Sequence, residues 1–472
     1  MGGVIGFAKK TDCVMDLFFG TDYHSHLGTK RGGLCVLGED GFERAIHNIS
    51  NAPFRSKFED EIEDMEGNLG IGAISDADPQ PLTVYSRHGD MALTIVGRIN
   101  NKDELVAELL KDRPGHFMTM SGDKINSTEL VGTIIATGRD IIDGIRKVQD
   151  KIDGSVTMIV ATKDGLYAAR DKYGRTPLII GKSEEGYCVA SESFAFINLG
   201  YEYERELGPA EIAFITADGA ETVGEPQEGM RICSFLYTYF GYTTSIYEGK
   251  NVEFVRNRNG ELLAEMDGEM DVDYIAGVPD SGIPHALGYA NRSKVRYARP
   301  LIKYTPTWQR SFMSQNQKAR KHVAKMKLIP VLKLINKKKF VLIDDSIVRG
   351  TQLMETVDYL HDSGAEEIHV RSACPPLLFG CKFHNFSRTV SDMELITRRT
   401  ICELEGLEPE QVTRELLDEY VDHNSEKYAN MVEEIRKKMK FDSLKFQTLE
   451  NTKKAIGIDP CKLCTYCWDG KE

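Results

Sequence analysis

The segment Val341-Leu342-Ile343-Asp344-Asp345-Ser346-Ile347-Val348-Arg349-Gly350-Thr351 sets two carboxylates directly behind an apolar run. Adjacent acids of this kind can accept hydrogen bonds from a vicinal diol such as the 2′,3′-hydroxyls of a ribose. The loop from Ser346 to Thr351 follows, and Gly350 permits a close backbone approach, so the loop can wrap a phosphate at the N-terminus of the next helix. A second run, Gly277-Val278-Pro279-Asp280-Ser281-Gly282-Ile283-Pro284, also stands behind an apolar stretch. Between the two lie the basic residues Arg310, Arg320, Lys325 and Lys327. A third chemical feature closes the chain. Cys461-x-x-Cys464-x-x-Cys467 has the spacing of metal ligands, and thiolates suit either zinc or an iron–sulfur cluster.

The elements that must position these residues change character along the chain. Residues 1 to about 225 carry short β-rich runs broken by Gly, Asp and Pro, such as Val156–Ala161, Gly165–Ala169, Leu178–Ile180 and Tyr187–Ala190. Two stretches there, Lys102–Leu110 and Glu129–Ala136, have helical apolar spacing, and the whole reads as a layered α+β domain. From about residue 230 apolar strands, Tyr274–Val278, Lys339–Ile343 and Ile368–Ser372, alternate with helices. That order gives a parallel sheet whose binding loops lie at the strand C-terminal ends. The charged helical stretch Glu410–Met439 reads as a solvated cap. The resulting division is 1–228, 229–445 and a Cys-rich tail, 446–472.

The chain has 472 residues, enough for two or three domains, and its 41% apolar content supports well-formed cores. No apolar run of about 18 residues occurs, and the opening MGGVIGFAKK is too short in apolar length for a signal peptide, so a cytoplasmic protein is expected. Ten cysteines in such a protein are expected to be thiols rather than disulfides. A net charge of −13 disfavours a general nucleic-acid binder, whereas a small anion can still be held locally by backbone N–H groups or a metal.

The Asp344–Thr351 segment resembles the PRPP (5-phosphoribosyl 1-pyrophosphate) motif of the type I phosphoribosyltransferases. The Gly277–Pro284 run looks like that family's pyrophosphate loop, and Lys303 to Arg320 looks like its flap. Together with Tyr237-Thr238-Tyr239-Phe240, these runs are similar to the amidophosphoribosyltransferases, as are Asp171–Pro177, Val189–Phe196 and Pro209–Ile212. The resemblance spans nearly the whole chain. It implies an N-terminal-nucleophile-hydrolase-like, class II glutamine amidotransferase domain followed by an α/β phosphoribosyltransferase domain. It also implies an enzyme that transfers an amine to C1 of PRPP, and a homo-oligomer. PRPP would be bound by Asp280, Ser281, Gly282, Arg310, Asp344, Asp345, Ser346, Arg349, Gly350 and Thr351, with Mg²⁺ on Asp344 and Asp345. The iron–sulfur subgroup of the family implies a [4Fe–4S] site on Cys233, Cys381, Cys461 and Cys464, with Cys467 spare and zinc the alternative metal.

Set against that family, the first domain has lost its chemistry. Gly2 stands where the nucleophilic Cys belongs, so no catalytic residue is expected in it. The family's His-Arg-Gly reads His26-Leu27-Gly28, its carboxylate-gripping Arg falls on Ser75, its oxyanion Asn-Gly on Val96-Gly97, and its Ser-Asp-Thr-Glu on Asn126-Ser127-Thr128-Glu129. Cys13 and Cys35, with His24 and His26 near the latter in sequence, are the remaining nucleophile candidates. The expected amine is therefore ammonia, from solution or from a separate glutaminase. Two other readings stay open: a non-catalytic sensor of PRPP or nucleotides that regulates a true amidotransferase, and a transferase for another small amine.

Overall fold

The computed structural model describes residues 2–112, 117–118, 120–121, 124–304, 328–385 and 391–472. The first domain is built of two antiparallel sheets face to face. One runs, in spatial order, Glu202–Glu206, Ile179–Ser183, Gly186–Ala190, Gly2–Lys9, Leu69–Ser75, Arg31–Gly38, Gly41–Asn48. The other runs Ala220–Gly224, Ile212–Ile215, Gly165–Ala169, Gly154–Thr162, Gly89–Ile99, Leu82–Ser86. Alternation along the strands explains the layering. On the first strand Val4 and Ala8 turn into the core between the sheets, with Ile71, Val96, Ile159 and Leu166. Ile5 and Phe7 turn the other way, onto Val14, Leu17 and Phe18 of the helix Val14–Tyr23. The second sheet's outer face is covered by the helices Ser127–Ala136 and Ile141–Lys151 through Leu130, Ile134, Ile145 and Val148.

The second domain holds a four-stranded parallel sheet in the order Tyr274–Gly277, Lys339–Asp344, Glu367–Ser372, Ser443–Phe446. The helices Val252–Asp267 and Ile283–Ser293 cover one face through Leu263, Ala286 and Tyr289. The helix Thr351–Asp362 covers the other, joined by the helices Arg414–Val421 and Glu426–Lys438. The last two are not a solvated cap: Leu417, Tyr420, Met431 and Ile435 are buried against the sheet. The buried Arg371 and Asp267 pair at 2.6 Å, and Tyr289 and Lys445 also reach that carboxylate, tying both helices to the sheet. No helix among the described residues is long and apolar enough to cross a membrane.

The domains are fastened where two carboxylates meet the buried Arg170. Arg170 lies 3.5 Å from Glu206 of the first domain and 2.8 Å from Glu248, which sits in a hairpin at the start of the second. The Glu248 amide donates to Glu206 at 2.7 Å. One guanidinium thus faces two carboxylates, and Tyr203 also bonds Glu206. Burial raises Glu206 to about 8 from 4.5, opposed by Arg170 and reinforced by Glu248. Because the folded value is raised, the stabilisation is complete below pH 4.5 and disappears as pH rises through about 8. The thermal midpoint of the wild-type chain should fall across that window, and Glu206→Gln should flatten the fall. An unchanged slope in Glu206→Gln would reject this assignment.

Candidate active site

The carboxylates of Asp344 and Asp345 emerge where the buried strand Lys339–Asp344 ends. The Asp345 amide donates to Asp344 at 3.0 Å, and the Ser346 hydroxyl donates to Asp345 at 2.6 Å. Gly350 has φ +79° and caps the helix Thr351–Asp362 without a side chain, and a Cβ there would meet Ile396 at 2.8 Å. The first N–H groups of that helix therefore have no capping side chain in competition with a phosphate.

The neighbouring strand Tyr274–Gly277 sets the second loop beside the first. Gly277 is in register with Ile343, and the Val278 amide donates to the Ile343 carbonyl at 2.8 Å. A Cβ on Gly282 would run into that same carbonyl, so only glycine lets the loop fold down onto the strand. Ser281 then bonds Asp345, and Lys303 pairs with Asp280 at 2.6 Å. The sequence-expected Asp280, Ser281, Gly282, Asp344, Asp345, Ser346, Gly350 and Thr351 are thus held at the same end of the sheet. Arg349 is turned aside, ion-paired with Glu394 over a cleft of about 190 Å³ that Arg399, Glu403 and Lys438 also line. Arg310, with Arg320, Lys325 and Lys327, lies outside the described residues.

Burial raises both carboxyls, and Asp344 is pushed well above the usual range by Asp345 as well. Two acids poised in this way gain from a diol or a divalent cation placed between them. Nearby positive charge comes from a residue that sequence reasoning missed. Arg256, 3% exposed, faces Asp345 and donates to the carbonyls of Tyr237 (3.0 Å), Tyr239 (2.8 Å) and Gly241 (2.7 Å). It fixes the π-helical turn Leu236–Phe240 that contains the matched Tyr237–Phe240 run.

In the first domain Gly2 lies opposite Ser75 in the sheet, and a Cβ on Gly2 would stand 2.7 Å from the Ile74 carbonyl. Val96 is in the core between the sheets. The Gly97 carbonyl accepts from Asn385 at 3.1 Å, while Arg98 and Asn100 donate to the carbonyls of Cys381 and Lys382 at 3.0 Å each. A segment of the second domain therefore lies along that strand end. Asn126 is spent on capping its helix, with Thr128 N at 2.7 Å, and Gln80 makes two bonds to the backbone of Ile95. Burial pushes the Cys13 and Cys35 thiols up to about 12, which removes the thiolate either would need. His24 is buried against the Gly20 carbonyl, and His26 bonds the buried Glu192 at 3.1 Å.

The cysteines gather at the domain junction. Ile232–Cys233 pairs in parallel with Leu463–Cys464, in the register Cys233 to Cys464. Cys467 lies within electrostatic reach of Cys233, Cys381, Cys464 and Cys374. Cys461, expected among the ligands, has an exposed thiol that donates to Asp459 at 2.9 Å. Among the described residues no three His, Cys, Asp or Glu side chains converge as a single ion would require.

Comparison with known proteins agrees with this geometry. A family profile described as a glutamine amidotransferase domain matches residues 68–198. The amidophosphoribosyltransferase of Methanothermobacter thermautotrophicus is 29% identical over 99% of this chain and 93% of its own length. That of Synechococcus elongatus is 30% identical over 82% of this chain and 80% of its own. The solved glutamine PRPP amidotransferase from B. subtilis, complexed with ADP and GMP, superposes with a TM-score of 0.84 at 28% identity, covering 99% of this chain and 96% of that one. A parallel-sheet phosphoribosyl site behind an amidotransferase sandwich defines a phosphoribosyltransferase of the class II glutamine amidotransferase type. The chain belongs to the amidophosphoribosyltransferase family, enzymes of purine biosynthesis.

Proposed function

We propose that the chain transfers ammonia to C1 of PRPP, giving 5-phosphoribosylamine and pyrophosphate, and that its first domain does no glutamine chemistry. The observation that carries this reading is the contrast between two sites in one chain. The Asp344–Thr351 and Gly277–Gly282 loops bring Asp344, Asp345, Ser281 and the start of the helix Thr351–Asp362, free of a capping side chain, to one end of the sheet. Gly2 offers no sulfur, and its Cβ direction is closed by the Ile74 carbonyl.

Asp344 and Asp345 would accept the ribose hydroxyls. The Asp280–Gly282 turn would hold the pyrophosphate, and the start of the helix Thr351–Asp362 the 5′-phosphate. Ammonia forms the new N–C1 bond as the C1–O bond to pyrophosphate breaks, with inversion at C1 through an oxocarbenium-like state, and the surplus proton leaves to solvent. The protein's share is positioning and charge screening. Mg²⁺ on Asp344 and Asp345 would neutralise pyrophosphate charge. Incubation with PRPP, Mg²⁺ and ammonium should release pyrophosphate and phosphoribosylamine one to one. PRPP bound without any release would favour a regulatory protein instead, and release only with another amine would change the acceptor.

We further infer a metal–thiolate centre on Cys233, Cys381, Cys464 and Cys467. Two observations support the fit: these thiols lie within electrostatic reach of one another, and the buried Arg175, bonded to the Cys464 thiol, has two nitrogens without a hydrogen-bond partner. Tetrahedral zinc would draw its thiolates to within about 3.8 Å of one another, given Zn–S bonds of about 2.3 Å. A [4Fe–4S] cluster would hold its four thiolates further apart. Such a centre would cross-link the tail to both domains. Homo-oligomerisation belongs to the same family-based reading.

A further inference from the structure

Arg175 is 3% exposed, yet its Nε and Nη1 have no hydrogen-bond partner. Its guanidinium carbon lies 3.6 Å from the Phe383 ring centre and 4.7 Å from that of Tyr173, so the plane of the fork is fixed. The group touches the cysteine junction at three points. Its carbonyl accepts from the Cys233 amide at 3.2 Å, its side chain bonds the Cys464 thiol, and Phe383 stands two residues after Cys381. Asp171, the acid nearest to it in sequence, accepts from the Thr176 and Tyr173 amides and the Thr157 hydroxyl and forms no ion pair with it. A buried guanidinium with open donors, facing neutral thiols, is uncompensated. The same guanidinium facing metal-bound thiolates is paired.

We propose that Arg175 is the counter-ion and hydrogen-bond donor of the cysteine centre, positioning and electrically balancing the bound cluster, an inference that rests on the four-cysteine reading above. Donors and positive charge at cluster sulfurs favour the reduced state and slow loss of the metal. Arg175→Met removes both, whereas Arg175→Lys keeps charge without the planar fork.

The test uses the anaerobically purified full chain, its chelator-stripped form, and both variants. Wild-type protein should carry iron and sulfide. In Arg175→Met the oxidised-to-reduced ratio at a fixed potential should rise at least tenfold, about 59 mV for one electron, and iron loss to a chelator should quicken at least tenfold. Arg175→Lys should fall between. In the stripped protein the sign reverses: Arg175→Met should unfold no earlier than wild type. A structural role alone would lower both forms equally, and that result, or an unchanged potential and chelation rate in iron-loaded Arg175→Met, overturns the inference. If Arg175→Met does not accumulate, the same readings on Arg175→Lys decide it. Wild-type protein that binds no metal would overturn the cysteine centre itself, and this inference with it.

Discussion

Asp345→Ala should weaken PRPP binding by about tenfold to a hundredfold while leaving the fold intact. The carboxylate is 5% exposed and is oriented by the Ser346 and Ser281 hydroxyls, so it meets the ribose diol already aimed. Losing one partner of a charged hydrogen bond costs roughly 1.5–3 kcal/mol, which is that range of affinity. In the free protein Asp345→Ala relieves the repulsion that, with burial, pushes Asp344 well up, but it also takes away the carboxylate facing the buried Arg256, so the ligand-free chain should stay folded with little change in thermal midpoint. Calorimetry gives the affinity and thermal unfolding the stability. Unchanged PRPP affinity in both Asp344→Ala and Asp345→Ala would remove these residues from the site.

That these two acids were legible in sequence follows from locality. Strand, acids, loop and helix start lie within Lys339–Thr351, so composition alone carries the signal. What escaped is long-range or masked. Arg256 approaches Asp345 from a helix far back in the chain, and nothing in its own neighbourhood marks it. The closure of the Gly97 strand end by residues 381–385 is invisible for the same reason. Cys461 and Cys467 sit at equal spacing from Cys464, and only the folded chain distinguishes an exposed Cys461 from a half-buried Cys467. The helices Val14–Tyr23 and Ile141–Lys151 were hidden by Gly20 and Gly144, residues that weaken a helical pattern. Close packing demands both: a Cβ on Gly20 would meet Ile5 at 2.7 Å, and one on Gly144 would meet the Ile135 backbone. In Glu410–Met439 the charge density concealed a stripe at helical spacing, Leu417 with Tyr420 and Met431 with Ile435, and that stripe is core.

Gly2→Cys should not create a glutaminase. Glutamine chemistry needs a nucleophile, a clamp for the substrate carboxylate and an oxyanion donor, and removal of a single such donor costs about a hundredfold to a thousandfold in turnover. Here Val96 faces the core between the sheets, Ser75 carries no charge, and Asn126 and Gln80 are spent on backbone groups. The new side chain would also have to displace the Ile74 carbonyl. Restoring sulfur alone therefore leaves the other losses in place, and glutamate formation should remain at the blank level with and without PRPP. A Gly2→Cys chain that hydrolyses glutamine at an enzyme-like rate would show that the rest of the site is intact.

The most direct test offers the natural chain PRPP and Mg²⁺ with either ammonium or glutamine as the sole nitrogen source, and follows pyrophosphate and glutamate together. Ammonium should support pyrophosphate release, and glutamine should give neither product above the amine-free blank. Pyrophosphate released from glutamine with equimolar glutamate would contradict the account.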